Sequence, residues 1–197
     1  MSTPEGKLAF EKFVRDLRAA WAALPDVQSR MKRAARLLEA LVNDPSLREN
    51  SEAWPSTDGP PPKNLLFYED PDYGFAINGV VRTAARKGGV HDHGESWTAY
   101  GLLVGTEKLE HYRRIDDGKK EGYAEIVLDY VDDGTAGKVD LVPPFAIHAE
   151  SGGLARSVAV IVRSLPIGRR GHSLRYDPAQ RTCAHGNGPV QVPYEIS

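Results

Sequence analysis

The spacing of apolar residues divides the chain in two. Up to residue 54 they recur every three or four positions. Phe10, Phe13, Val14, Leu17, Trp21 and Leu24 form one stripe with Lys and Arg between them, and Val27, Met31, Ala34, Ala35, Leu38 and Leu41 form a second. That period puts each set on one face of a helix. Pro25 ends the first helix, Asp26 is an N-cap for the next, and Asn43-Asp44-Pro45 stops it. Residues 1–54 are therefore expected to be helices packed on the rest of the molecule, with Arg30, Lys32, Arg33 and Arg36 on the solvated face. PSTDGPPP, residues 55–62, reads as a stiff linker poor in backbone donors.

From residue 63 onward the pattern changes to short runs rich in branched and aromatic residues. LLFYE (65–69), YGFAINGVVRTA (73–84), WTAYGLLVG (97–105), EKLEHYRRI (107–115), YAEIVLDYV (123–131), KVDLV (138–142) and ARSVAVIVRSL (155–165) alternate with Gly, Asp and Pro clusters. Many short strands separated by turn signals predict a mainly β unit over residues 63–197, an antiparallel sandwich or barrel. DDGKKEG and DDGTAG read as turns, and residues 177–197 as loop apart from a last strand at Val190–Tyr194.

Composition narrows the class further. Cys183 is the only cysteine, so neither an intramolecular disulfide nor a Cys-rich zinc module is available. A net charge of −2 excludes a strongly basic nucleic-acid binder. No apolar run reaches the roughly 20 residues of a membrane span, and MSTPEGKLAF lacks the basic-then-apolar order of a signal peptide. The expectation is a cytoplasmic protein, monomeric or homodimeric, without nucleic-acid or membrane partners.

Three of the six histidines carry the functional reading. His91 and His93 in GGVHDHGESW are two apart, so an extended segment aims both imidazoles into one space and turns Asp92 away. His148 follows in VPPFAIHAE, an apolar setting where an unpaired buried imidazole would be costly. Converging neutral imidazoles suit a divalent metal.

These segments resemble the cupin superfamily, whose first motif places an H-x-H pair before a glutamate and a closing glycine, and whose second runs glycine, proline, glycine, histidine, asparagine. Here the first motif has its counterpart in His91, His93 and Gly105, and the second in Gly137, Pro143 and His148. Thr98 stands where the glutamate would fall, Phe145 replaces the second motif's glycine, and Gly152 its asparagine. The resemblance implies a double-stranded β-helix, or jelly-roll barrel, behind the α-helical N-terminal segment. Within it, GGVHDHGESWTAYGLLVGTEKLEHYRR looks like the metal strand of thiol dioxygenases of the cysteine and 3-mercaptopropionate dioxygenase type. That likeness implies Fe(II) on His91, His93 and His148, with dioxygen and a small thiol carboxylate as reactants and a sulfinate as product. Zinc or nickel could use the same ligands, and three histidines with a water also make a zinc hydrolase. A metal cupin of other chemistry and a non-catalytic binding module stay open.

Departures from that family set the remaining expectations. Its Ser-x-His-x-Tyr relay reads Ile161-Val162-Arg163-Ser164-Leu165 here, and no cysteine lies near Thr98 for a Cys–Tyr cross-link. An inward Arg163 would bind a substrate carboxylate, and the resemblance makes Arg175 a second candidate, since 3-mercaptopropionate dioxygenases use an arginine late in the barrel. Tyr100 and Thr98 share the face of the lost glutamate, Glu150 lies two beyond His148, and Glu95 two beyond His93. Arg82 has odd parity relative to His91 and is expected to face outward. His172, close to Arg175, is the best placed of the other histidines.

Overall fold

The computed structural model describes residues 4–83, 85–153, 155–165 and 173–197. Three helices lead the chain: α1 Pro4–Ala23, α2 Val27–Val42 and α3 Pro45–Ser51. Asp26 caps α2 by accepting from the Ser29 amide at 2.8 Å, and Asp44 caps α3 by accepting from the amides of Ser46 at 2.9 Å and Leu47 at 3.3 Å. The apolar stripes are buried at Phe10, Phe13, Leu17 and Trp21 of α1 and at Ala34, Leu38 and Leu41 of α2, whereas Val27, at the start of α2, is exposed.

The strands are β1 Lys63–Glu69, β2 Ala76–Arg82, β3 Arg86–Lys87, β4 Val90–His91, β5 Thr98–Val104, β6 Thr106–Arg114, β7 Ile126–Thr135, β8 Val139–Val142, β9 Ile147–Gly152, β10 Ser157–Arg163, β11 Leu174–Asp177, β12 Thr182–His185 and β13 Val190–Pro193. They form two sheets, ordered β13-β1-β2-β10-β5-β8 and β12-β11-β4-β9-β6-β7, with β3 pairing β9 off the second path. Every pairing is antiparallel except β1 with β13. Within them β2-β10-β5-β8 faces β4-β9-β6-β7. Numbered along the chain, those eight strands run first-eighth-third-sixth and second-seventh-fourth-fifth, the order of a jelly roll made of two Greek keys. The fold is thus the cupin double-stranded β-helix with a helical N-terminal segment.

Alternation along β10 sorts its side chains between two cores. Val158, Val160 and Val162 join Leu17, Trp21, Leu38 and Leu41 in the large core between helices and sheet, while Ala159 and Ile161 face the lumen with Val80, Tyr100, Leu102 and Leu109. A strand covered on both faces reads as the continuous apolar run seen here. Helix α2 lies close to β5 because Gly101 has no side chain; a Cβ there would come 2.9 Å from Leu38 Cγ and Val42 Cγ1. Fully burying a leucine such as Leu38 stabilises the fold by about 1.5–3 kcal/mol.

Two local expectations need correction. DDGTAG is not a turn throughout: β7 continues through Thr135, and the chain reverses over Ala136–Lys138, where Gly137 has φ 89°. Asn43 Nδ2 donates to the Gly137 carbonyl at 3.0 Å and pins that corner to the end of α2. The tail is not loop-like, since β11 and β12 form a hairpin laid against β4. Its residues are polar and half or fully exposed, so no apolar alternation marks it; backbone pairing makes it a strand.

Candidate metal centre

Strand β4 ends at His91 and the segment that follows it carries His93, with a buried carboxylate between them. Asp92 is turned away from the lumen and accepts hydrogen bonds from the Gly94 amide at 2.9 Å, the Leu174 amide at 3.0 Å and the Tyr176 hydroxyl at 2.6 Å. His148 comes from β9, paired directly with His91. The three rings stand 4.6–4.9 Å apart by centroid, and a ligand atom from each lies within 4.8 Å of the others.

The surroundings set the state of each ring. His91 Nδ1 lies 3.0 Å from the Gly89 carbonyl, which only accepts, so Nδ1 carries the proton and Nε2 the free lone pair. His148 is 3% exposed and neither ring nitrogen makes a hydrogen bond. Glu150 Oε1 is 3.4 Å from its Nε2, close enough for attraction but not aligned for a bond. Burial pushes the His148 imidazolium down to about 3, helped by His91 and Arg163 and opposed by Glu150. A neutral, buried and unpartnered imidazole facing two others is a donor set without an acceptor. It fits a divalent metal; His91, His93 and His148 would hold it, and among the described residues no carboxylate belongs to the set.

Arg163 does point inward. It is 5% exposed, and its Nη1 lies 2.9 Å from His93 Nδ1 and 3.3 Å from Nε2, while Nε is buried without a partner. Burial lowers its ordinary value, against the pull of Glu150 and Tyr100. Thr98 sits opposite Arg163 in the β5–β10 pairing, buried, with Oγ1 unpartnered. Glu150 lies in the same cavity and stays anionic: burial opposes this, but His148, His91, Arg82 and Arg163 outweigh it. Glu95 is exposed and stands apart from the cluster. His172 falls outside the described residues.

The outward expectation for Arg82 fails. Its side chain is 12% exposed and lines the cavity, donating from Nη1 to the Tyr100 hydroxyl at 2.6 Å and to Glu107 at 2.8 Å and 2.9 Å. β2 ends at Arg82 and the chain turns before β4, so parity cannot be carried across to His91. Within β2, Arg82 shares the parity of lumen-facing Val80. Tyr100 in turn donates to Glu107 at 2.7 Å, so its proton is already committed within the protein. Its ionisation is pushed far up by burial, Arg82 opposing and Glu107 and Glu150 assisting. Glu107, which also accepts from the Ser157 hydroxyl at 2.6 Å, had no place in the sequence reading; its only signal was shared parity with Leu109.

A cavity of about 380 Å³ has His91, His93, Glu150, Arg82, Arg163 and Arg175 in its wall. Arg175 is paired across from His91 on β11 and shares its face. His111 is the cross-strand partner of His148 in the β6–β9 pairing and stacks on Tyr130 at 4.3 Å, with Asp140 at 3.8 Å.

No family model matches the chain. No curated protein matches it either. Among solved structures, the chain is similar to an uncharacterized protein with a double-stranded β-helix domain from Klebsiella pneumoniae, at 14% identity and TM-score 0.44 over 65% of this chain and 94% of that one. An oxalate oxidase in complex with the substrate analogue glycolate matches at 16% identity and TM-score 0.44, over 58% of this chain and 56% of that one. The Cnp3 cupin domain of Schizosaccharomyces pombe matches at 11% identity and TM-score 0.41, over 52% of this chain and 59% of that one. The chain thus spans less than two thirds of the last two. Its own strand order, with three histidines gathered inside the barrel, makes it a protein of cupin fold with a candidate divalent-metal centre.

Proposed function

We propose that the protein is an Fe(II)-dependent dioxygenase that converts a small thiol carboxylate to a sulfinate. The observation that carries the reading is a cluster of three imidazoles, one with both ring nitrogens buried and unpartnered, beside a buried arginine and, among the described residues, without a carboxylate in the ligand set. Bound iron(II) would supply an undiminished double positive charge for a thiolate and a redox centre for dioxygen. In the reaction both atoms of dioxygen join the sulfur, which gives up four electrons, and the thiol proton is released.

The chain's own residues bind and orient. The Nε edge of Arg163 is an unused donor set for a substrate carboxylate, which it would grip in bidentate fashion. Val80 and Ile161 supply an apolar wall that limits water. Arg82 and Glu107 hold the Tyr100 ring in place from behind. The Gly89 carbonyl keeps the His91 lone pair on Nε2, facing the other rings.

Metal analysis of the purified protein, followed by oxygen uptake and sulfinate detection with cysteine, 3-mercaptopropionate and cysteamine, tests the proposal. Iron-loaded protein inert towards all three would overturn the thiol assignment. A second reading, a metal-assisted lyase or hydrolase, is favoured by Glu150, a carboxylate placed in the cavity 3.4 Å from His148 as a base would be. It predicts turnover of a non-thiol acid without oxygen consumption.

A further inference from the structure

Charge in the cavity wall is unevenly matched. Arg82 is neutralised from behind by Glu107, so the pair contributes no net charge. Among the described residues, Glu150 is then the one carboxylate left in a wall that also holds Arg163 and Arg175. These two arginines belong to opposite sheets, Arg163 to β10 and Arg175 to β11. Neither is spent on a protein anion: Arg163 gives Nη1 to His93 and leaves Nε buried and unpartnered, and Arg175 makes no ion pair or hydrogen bond with the described residues. Gly186 leaves room for Arg175 to lie along the cavity, since a Cβ there would come 3.0 Å from Arg175 Cγ and 3.2 Å from its Nε. The Arg163 guanidinium is buried without its complement of acceptors, which is costly, and a ligand that supplies them is bound for that reason; Arg175 is exposed and lines the cavity from its solvent side.

Size points the same way. The cavity of about 380 Å³ falls within the range of small-molecule sites, about 300–1,000 Å³, and its wall includes both arginines. Among the described residues, and setting aside the exposed Lys63, the wall carries one unmatched positive charge, and a divalent metal would raise this to three. A thiolate bearing two carboxylates matches that count.

We infer that the cavity takes a substrate with two acid groups, one held by Arg163 at the base and the other by Arg175 at the mouth. The inference rests on the thiol carboxylate reading for the thiol, but not for the two acid groups, and the test separates them. Calorimetric titration of metal-free protein with succinate and glutarate, each against the monoacid of equal carbon number, butyrate and valerate, reads the acid sites alone. At least one diacid is expected to bind tenfold or more tightly than its monoacid. Arg175→Gln is expected to shrink that ratio at least fivefold, with Arg175→Lys retaining part of it. Circular dichroism of each variant checks that the barrel is intact. Equal affinity for diacids and monoacids, or a ratio unmoved by Arg175→Gln, overturns the inference. With iron bound, 2-mercaptosuccinate is expected to exceed 3-mercaptopropionate in kcat/KM at least tenfold. A diacid preference in the metal-free protein without any thiol oxidation would defeat the thiol reading alone, whereas brisk oxidation of 3-mercaptopropionate with no diacid preference would defeat this inference alone.

Discussion

Arg163 Nη1 stands 2.9 Å from Nδ1 of His93, a guanidinium donating to an imidazole that is also a candidate metal ligand. A neutral imidazole offers one lone pair, because its other nitrogen carries the proton. Guanidinium and metal therefore compete for His93, and a cation beside the site repels a second one. Arg163→Gln is expected to tighten divalent metal binding by about tenfold, about 1.4 kcal/mol, as read by cobalt or zinc titration against a chelator. A weaker or unchanged affinity would show that Arg163 does not compete for the ring.

His148 contributes nothing to folding that a hydrogen bond would show, since both ring nitrogens are unpartnered. His148→Ala should therefore leave the melting temperature of metal-free protein within a few degrees of the parent. Metal at a hundred times its Kd should stabilise the parent by about 2.7 kcal/mol and the variant far less. Thermal melts with and without zinc measure both, and an equal metal-induced rise in the two proteins would remove His148 from the ligand set.

Glu107 is the acceptor on which Arg82, Tyr100 and Ser157 converge, with 1% of its side chain exposed. Removing it leaves the Arg82 guanidinium buried without a counter-charge. Glu107→Ala is expected to destabilise the fold by about 3–5 kcal/mol, whereas Tyr100→Phe, which deletes one hydroxyl from the same network, should cost about 1–2 kcal/mol. Urea unfolding of the two variants ranks them; equal losses would refute the convergence on Glu107.

Acid stability should depend on Asp70. Burial alone would raise its carboxyl, but the amides of Tyr73 and Asp72, the Tyr68 hydroxyl and Arg18 together hold it below the usual range. A carboxyl depressed in the folded state stabilises the protein fully above its unfolded value of about 3.9, and that stability is lost as pH falls through the lower folded value. Asp70→Asn should flatten the acid limb of stability below about pH 4 and cost about 1–3 kcal/mol at neutral pH, Arg18 being partly solvated. Denaturation midpoints between about pH 2 and pH 7 test this; an unchanged acid limb would place the depression elsewhere.

The histidine cluster was legible because two local rules suffice for it: residues two apart share a face, and a third histidine on an apolar strand needs a partner. The same alternation failed for Arg82, where the strand ended before the reference residue and the parity lost its meaning. Lumen-facing Glu107 looks, in EKLEHYRR, like any solvated strand residue; only closure of the barrel buries it. The β11–β12 hairpin escaped for a related reason, being made by backbone pairing on β4 rather than by burial of apolar side chains. Helices, central strands and the segregation of valines from Arg163 along β10 followed from apolar spacing alone.

Asp92 joins two parts of the molecule that differ in what they are free to change. Through the Leu174 amide and the Tyr176 hydroxyl, the residue between the two metal-strand histidines anchors the hairpin that carries Arg175. Leu174 is gripped by its backbone, so the attachment does not depend on that side chain, and residue 175 hangs between two moored neighbours. The side chain at 175 can be exchanged without shifting either histidine. On the proposed reading, substrate preference and metal binding are separable traits in this barrel, and a library built at position 175 alone is expected to retune the first while sparing the second.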